Sequence, residues 1–186
     1  MILLHGRGAT AEDIMTLVPE IMRAGFAFLA PQAAGNAWYP NPFTGPLESN
    51  EPYLSDALRV VGDLVARVEE RVPAQRTILL GFSQGACLAL EFAARNARRY
   101  GGVVGLSGGL IGPPGIPRDY PGSFDSTPVF LGCSDVDPYI QKDRVVESAD
   151  VLERMGAAVG VTFYRGMGHE VGPEEIAMVR GMVDAV

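Results

Sequence analysis

Residues 77 to 88 read Thr-Ile-Leu-Leu-Gly-Phe-Ser-Gln-Gly-Ala-Cys-Leu: an apolar run, the pentapeptide Gly81-Phe82-Ser83-Gln84-Gly85, and an Ala/Leu-rich helical pattern. Few arrangements constrain a chain as strongly. Gly-x-Ser-x-Gly between a strand and a helix is a sharp turn, and it lifts the central serine hydroxyl above the edge of a sheet. Glycines two positions to either side let strand and helix approach closely, and the helix N-terminus beneath the serine favours negative charge arising there. Ser83 is therefore the expected nucleophile.

The rest of the chain supplies a matching scaffold. Apolar runs at 1–4, 26–30, 77–81, 103–106, 128–132 and 160–164 read as strands, and helical patterns cover 11–24, 52–71, 84–99, 141–155 and 173–185. Strands alternating with helices predict a mostly parallel sheet covered on both faces. Thr10 with Asp13 resembles an acidic capping box, Gly25 and Gly156 mark helix ends, and Pro173-Glu174-Glu175 fits a first helical turn. The Pro/Gly-rich stretches 31–52 and 108–127 leave the carboxyl ends of strands, where binding crevices form in such sheets. At 186 residues, with 47% apolar residues and no repeat, one domain spanning 1–186 is expected.

Charge and composition exclude several function classes. A net charge of −7 argues against a nucleic-acid partner, which needs a basic face. Arg95, Arg98 and Arg99 end a predicted helix, where cations complement its dipole. No apolar stretch is long enough for a membrane span, and no leader pattern opens the chain. Cys87 and Cys133 are too few for a disulfide framework and read as free thiols of a cytoplasmic protein. Cys133 beside the acid loop is either a packing residue or a redox sensor. The two histidines lack metal-ligand spacing, so no metal is expected.

A serine hydroxyl needs a base, and the base needs an orienting acid. Of the two histidines, His169 in Gly166-Met167-Gly168-His169-Glu170 follows the last predicted strand, and the order serine, acid, histidine makes it the expected base. His5 is expected to shape the loop Gly6-Arg7-Gly8. The acid should follow strand 128–132, in Gly132-Cys133-Ser134-Asp135-Val136-Asp137-Pro138-Tyr139-Ile140. Asp135 and Asp137 compete. Asp137 is preferred, because Pro138 fixes the turn beside it, and the other aspartate is left to cap a helix or remain solvated. The oxyanion donors should be the backbone N–H groups of Gln84 and Arg7, so those two side chains need not matter. Trp38, Tyr39 and Phe43 either wall an acyl pocket or pack their loop onto the sheet, and Leu110 is a candidate for the opposite wall.

Leu4-His5-Gly6-Arg7-Gly8, Gly81-Phe82-Ser83-Gln84-Gly85, Asp137-Pro138 and Gly168-His169 together resemble the phospholipase/carboxylesterase family of α/β-hydrolases. The resemblance runs over nearly the whole chain. It implies a doubly wound sheet, no cofactor, and hydrolysis of small ester or thioester substrates. Carried over by position, it assigns Ser83, Asp137 and His169 as the triad and Arg7 and Gln84 as the oxyanion hole. The chain departs from the family pattern in opening directly in a strand, which reads either as an N-terminally shortened version or as a sequence whose start is missing, and in carrying Gln141 where the family's turn usually has proline. The expected activity is a serine carboxylesterase acting on short- to medium-chain esters through an open site, since no segment can build a substantial helical lid. The alternatives are a thioesterase or lysophospholipase with the same triad, or a non-catalytic binding module on the same scaffold. An exposed strand near the start of the chain is also an edge on which a second copy can pair as a homodimer.

Overall fold

A computed structural model describes residues 1–186. Five parallel strands form one sheet in the order of the chain: β1 (Ile2–Leu4), β2 (Ile78–Phe82), β3 (Gly102–Leu106), β4 (Pro128–Ser134) and β5 (Ala158–Tyr164). Their register is continuous, with Leu4 opposite Gly81, Gly81 opposite Gly105 and Gly105 opposite Leu131. Six helices cover the sheet: α1 (Ala11–Met15), α2 (Val18–Ile21), α3 (Tyr53–Glu69), α4 (Gln84–Arg95), α5 (Lys142–Arg154) and α6 (Pro173–Asp184).

Alternation along the strands feeds two cores. Ile2, Leu4, Leu79, Val129 and Leu131 join α3, α4 and α5 in the larger cluster. Met1, Leu3, Ile78, Leu80 and Phe130 join Ile14 of α1, Ile21 of α2, and Val179 and Val183 of α6 in the smaller. This is the doubly wound arrangement the alternation predicts. Helix α3 shows how each layer attaches. It buries Leu54, Ala57, Val61 and Val65, one stripe at helical spacing. Each of the larger side chains contributes about 1.5–3 kcal/mol of burial. Helix α4 is apolar nearly all round and is buried from Gln84 to Ala94.

The structure corrects four sequence expectations. The 11–24 pattern is two short helices, because Pro19 enters the second within its first turn and has no N–H to continue the first. Segment 26–30 is not a strand. Only Leu29 pairs with β1, through Leu29 N–H to Met1 O at 3.0 Å and Leu3 N–H to Leu29 O at 2.8 Å. Gly25, at φ +90°, belongs to the turn leading into this segment and not to a helix cap, whereas Gly156, at φ +85°, follows directly on α5. Helix α4 stops at Arg95, so Arg98 and Arg99 do not complement its dipole. Arg98 instead pairs with Glu69 at 2.8 Å, and Arg99 donates to Asp125 O at 2.9 Å.

Candidate active site

The elbow is built by steric necessity. Ser83 sits between β2 and α4 at φ 54°, ψ −119°, a region non-glycine residues rarely occupy. A Cβ on Gly81 would lie 2.1 Å from Gly85 O, and a Cβ on Gly85 would lie 2.1 Å from Leu4 O. Only glycine fits either place. Ser83 N–H donates to Leu106 O at 2.9 Å, which ties the turn to the end of β3.

Above it, the imidazole of His169 bridges two side chains. Its Nε2 lies 2.9 Å from Ser83 Oγ and its Nδ1 lies 2.7 Å from Asp137 Oδ2. A carboxylate only accepts, so Nδ1 carries the proton and Nε2 is left to accept from the serine hydroxyl. The ring is held by Phe82, 5.0 Å away between centroids, and by the edge of Tyr139 at 4.9 Å. The Asp137 side chain is fully buried. Burial alone would raise its carboxyl, but hydrogen bonds from His169 and from the backbone N–H groups of Tyr139 and Ile140 outweigh this and hold it below the usual carboxylate range.

Asp135, the competing acid, has a different place. Neither a helix cap nor simply solvated, its Oδ1 accepts from Gly166 N–H at 2.8 Å. Ser134 Oγ accepts from Gly168 N–H at 3.0 Å. The end of β4 thus anchors the loop that carries the histidine.

Arg7 N–H has no acceptor within the protein. Gln84 is the first residue of α4, so its N–H is among those a helix leaves without an internal partner. Their side chains make hydrogen bonds that the sequence reading did not anticipate. Gln84 Oε1 accepts from Trp38 N–H at 2.9 Å, and its Nε2 donates to Tyr39 O at 2.8 Å. Arg7 donates to Pro40 O at 2.8 Å and Asn41 O at 3.0 Å. Both clamp the 38–41 loop beside the site. His5 works from below. It is fully buried, its Nε2 accepts from Ala33 N–H at 3.1 Å, and its Nδ1 lies 2.8 Å from Gly6 O. The Trp38 indole donates to His5 O at 2.9 Å.

Trp38, Tyr39, Phe43 and Leu110 are buried in the larger core, as packing of their loops requires. Tyr139, 65% exposed, lies against the histidine, and Val136, 60% exposed, precedes Asp137 in the chain; the sequence reading did not single out either. Their signal was position alone, flanking Asp137. Both thiols are free and buried. Burial, joined at Cys133 by the negative charge of Asp137, pushes each up to about 12, which disfavours the thiolate. A groove of about 700 Å³ runs along the β1 edge between Met1, Phe26, Leu64 and Val72 and contains none of these groups. No helix is long and apolar enough to cross a membrane.

A crystal structure of a phospholipase/carboxylesterase from Dyadobacter fermentans is 44% identical and superposes with a TM-score of 0.94, covering 98% of this chain and 88% of that one. Acyl-protein thioesterase 1 of Debaryomyces hansenii is 31% identical over 116 residues, which is 62% of this chain and 50% of that protein, so the match spans about half the relative's length. Acyl-protein thioesterase 1 of Yarrowia lipolytica is 28% identical over 198 residues, covering 95% of this chain and 87% of that one. The phospholipase/carboxylesterase family model matches residues 1–186, and the chain belongs to that family of α/β-hydrolases.

Proposed function

We propose that this protein is a serine hydrolase that cleaves short- to medium-chain carboxylic esters through an acyl-enzyme. The observation that carries the reading is the single imidazole within 2.9 Å of a strained serine hydroxyl and 2.7 Å of a buried carboxylate. Ser83 Oγ attacks the acyl carbon as His169 Nε2 takes its proton. The Asp137 carboxylate stabilises the resulting imidazolium through Nδ1–H. The N–H groups of Arg7 and Gln84 receive the oxyanion, each worth about 10²–10³ in rate. Collapse breaks the bond to the alcohol oxygen, which takes the proton from Nε2. Water, deprotonated by the same imidazole, then attacks acyl-Ser83 and regenerates the hydroxyl.

The preference for shorter chains rests on the openness of the site. Tyr139 stands exposed against the imidazole, and Trp38, Tyr39, Phe43 and Leu110 are packed into the core rather than closing over the serine. A fluorophosphonate should label the wild type and not Ser83→Ala, and p-nitrophenyl butyrate should be cleaved faster than the palmitate. A folded wild type that fails to label would favour a non-catalytic binding module instead.

Thioester hydrolysis is the second reading, supported by the names of the acyl-protein thioesterase relatives. It uses the same intermediate with a thiol as leaving group. Comparing kcat/KM for matched oxygen and sulfur esters separates the two.

A further inference from the structure

The loop that carries His169 is anchored on both sides. Before the histidine, Gly166 and Gly168 donate to Asp135 and Ser134 at the end of β4. After it, Gly172 N–H donates to Oε2 of Glu175, at 2.9 Å. That anchor belongs to α6 and is an unusual group for the task. Glu175 is fully buried, and its Oε1 has no hydrogen-bond partner. Oε1 presses on β4 two residues before Ser134: a Cβ on Gly132 would lie 2.2 Å from it. No cation faces it. Asp137 acts on it from the acid loop and Glu174 from its own helix, while Tyr164 on β5 and Cys133 on β4 feel its charge. Capping alone does not demand burial, since a first-turn acid caps equally well at the surface. A carboxyl wedged between α6, β4 and the histidine loop has a further consequence: it fixes their spacing.

We propose that Glu175 is a positioning residue for His169, seating the end of the histidine loop against Gly132 so that Nε2 stays within reach of Ser83. The inference rests on the triad reading. The neutral acid suits this seat, because an ionised carboxylate here lacks both water and a countercharge. Burial dominates, opposed by the hydrogen bond from Gly172 N–H and reinforced by Asp137 and Glu174, and the carboxyl is pushed up to about 7. A group raised in this way from an ordinary 4.5 binds its proton more tightly in the folded chain. Its stabilisation is therefore full below about pH 4.5 and is lost as pH rises through 7.

The test compares wild type, Glu175→Ala and Glu175→Gln by fluorophosphonate labelling, by kcat and KM on p-nitrophenyl butyrate across pH, and by Tm across pH. Glu175→Ala should lower kcat by roughly 10- to 100-fold with little change in KM, the cost of a misplaced catalytic group. Glu175→Gln keeps an acceptor for Gly172 and should restore kcat to within about threefold, as expected for a retained hydrogen bond. Against this uncharged variant, wild-type Tm should fall steadily as pH rises from 4.5 through 7, and the ratio of variant to wild-type kcat should climb above pH 7. Should Glu175→Ala fail to fold, the two pH comparisons with Glu175→Gln decide. Equal kcat in all three labelled proteins, a Gln variant as slow as the Ala variant, or flat pH comparisons would each overturn the inference while leaving the triad intact. Absence of labelling in the wild type would overturn the triad and this inference together.

Discussion

The two aspartates of the acid loop illustrate how much a side chain's direction decides. Asp137 points at the imidazole and Asp135 at Gly166 N–H, two residues apart on one turn. Asp137→Asn should lower kcat by roughly 10³- to 10⁴-fold, because an amide cannot both hold the productive tautomer and balance the imidazolium. Asp135→Asn keeps an acceptor for Gly166 and should cost less than about tenfold, a weakened positioning bond. Steady-state kinetics on the two variants check both, and an inert Asp135→Asn beside a fully active Asp137→Asn would reverse the assignment. The depressed Asp137 carboxyl adds a pH effect. Its stabilisation is complete above its ordinary 3.8 and is lost as pH falls through its lower folded value, so Asp137→Asn should lose less Tm than wild type on strong acidification. Residues whose role is local were readable in advance. Ser83 was legible because its elbow is a contiguous pentapeptide, with Gly81 answering a contact to Gly85 only four residues on. The choice between Asp135 and Asp137 depends on where β4 ends relative to a loop 30 residues downstream. Glu174 and Glu175 look alike as first-turn acids, and only tertiary packing buries the second and exposes the first.

At the scale of elements, the strong hydrophobic patterns translated directly into β2–β5 and α3–α6. The weak ones did not. Phe26-Ala27-Phe28-Leu29-Ala30 has the composition of a strand, yet it makes a single bridge, because composition does not supply a partner edge of sufficient length. The loops after β3 are held by a charged cluster that periodicity does not reveal. Glu91 of α4 is 1% exposed and accepts from Arg95 at 2.7 Å, from Tyr120 at 2.9 Å and from Ile111 N–H at 3.1 Å, with buried Arg118 beside it. Arg144 of α5 adds bonds to Leu110 O and Gly112 O, each 2.9 Å. Removing Glu91 takes the acceptor from Arg95, Tyr120 and Ile111 N–H and leaves Arg118 only the partly exposed Glu147 as a countercharge. Glu91→Ala should therefore destabilise by about 3–5 kcal/mol, measurable by urea unfolding, whereas disruption of the exposed Arg59–Asp63 pair should cost less than about 1 kcal/mol. Gly81→Ala tests the elbow in the same way: with a backbone oxygen 2.1 Å from the new methyl, the strand–helix junction must spread, and soluble yield should collapse.

For the molecule as a whole, every element of the proposed site leaves the carboxyl end of a parallel strand. The oxyanion loop follows β1, the nucleophile follows β2, the acid follows β4 and the base follows β5. Fold class was legible because this order is imposed by alternation alone. Substrate range was not, because it depends on which surfaces remain uncovered after packing, and the aromatic loop 38–43 turned inward. The exposed Tyr139 at the rim offers a direct check. Tyr139→Ala should widen the range of acyl chains accepted and weaken the hold on the imidazole, seen as a flatter chain-length profile with a modest loss in kcat.

The serine and the histidine lie 86 positions apart in the chain, and the histidine and its acid 32. Contacts of such long range close late, after most secondary structure has formed. During refolding from denaturant, chemical reactivity toward a phosphonate should lag behind the recovery of helical circular dichroism, so that competence for covalent capture becomes a clock for the last stage of assembly.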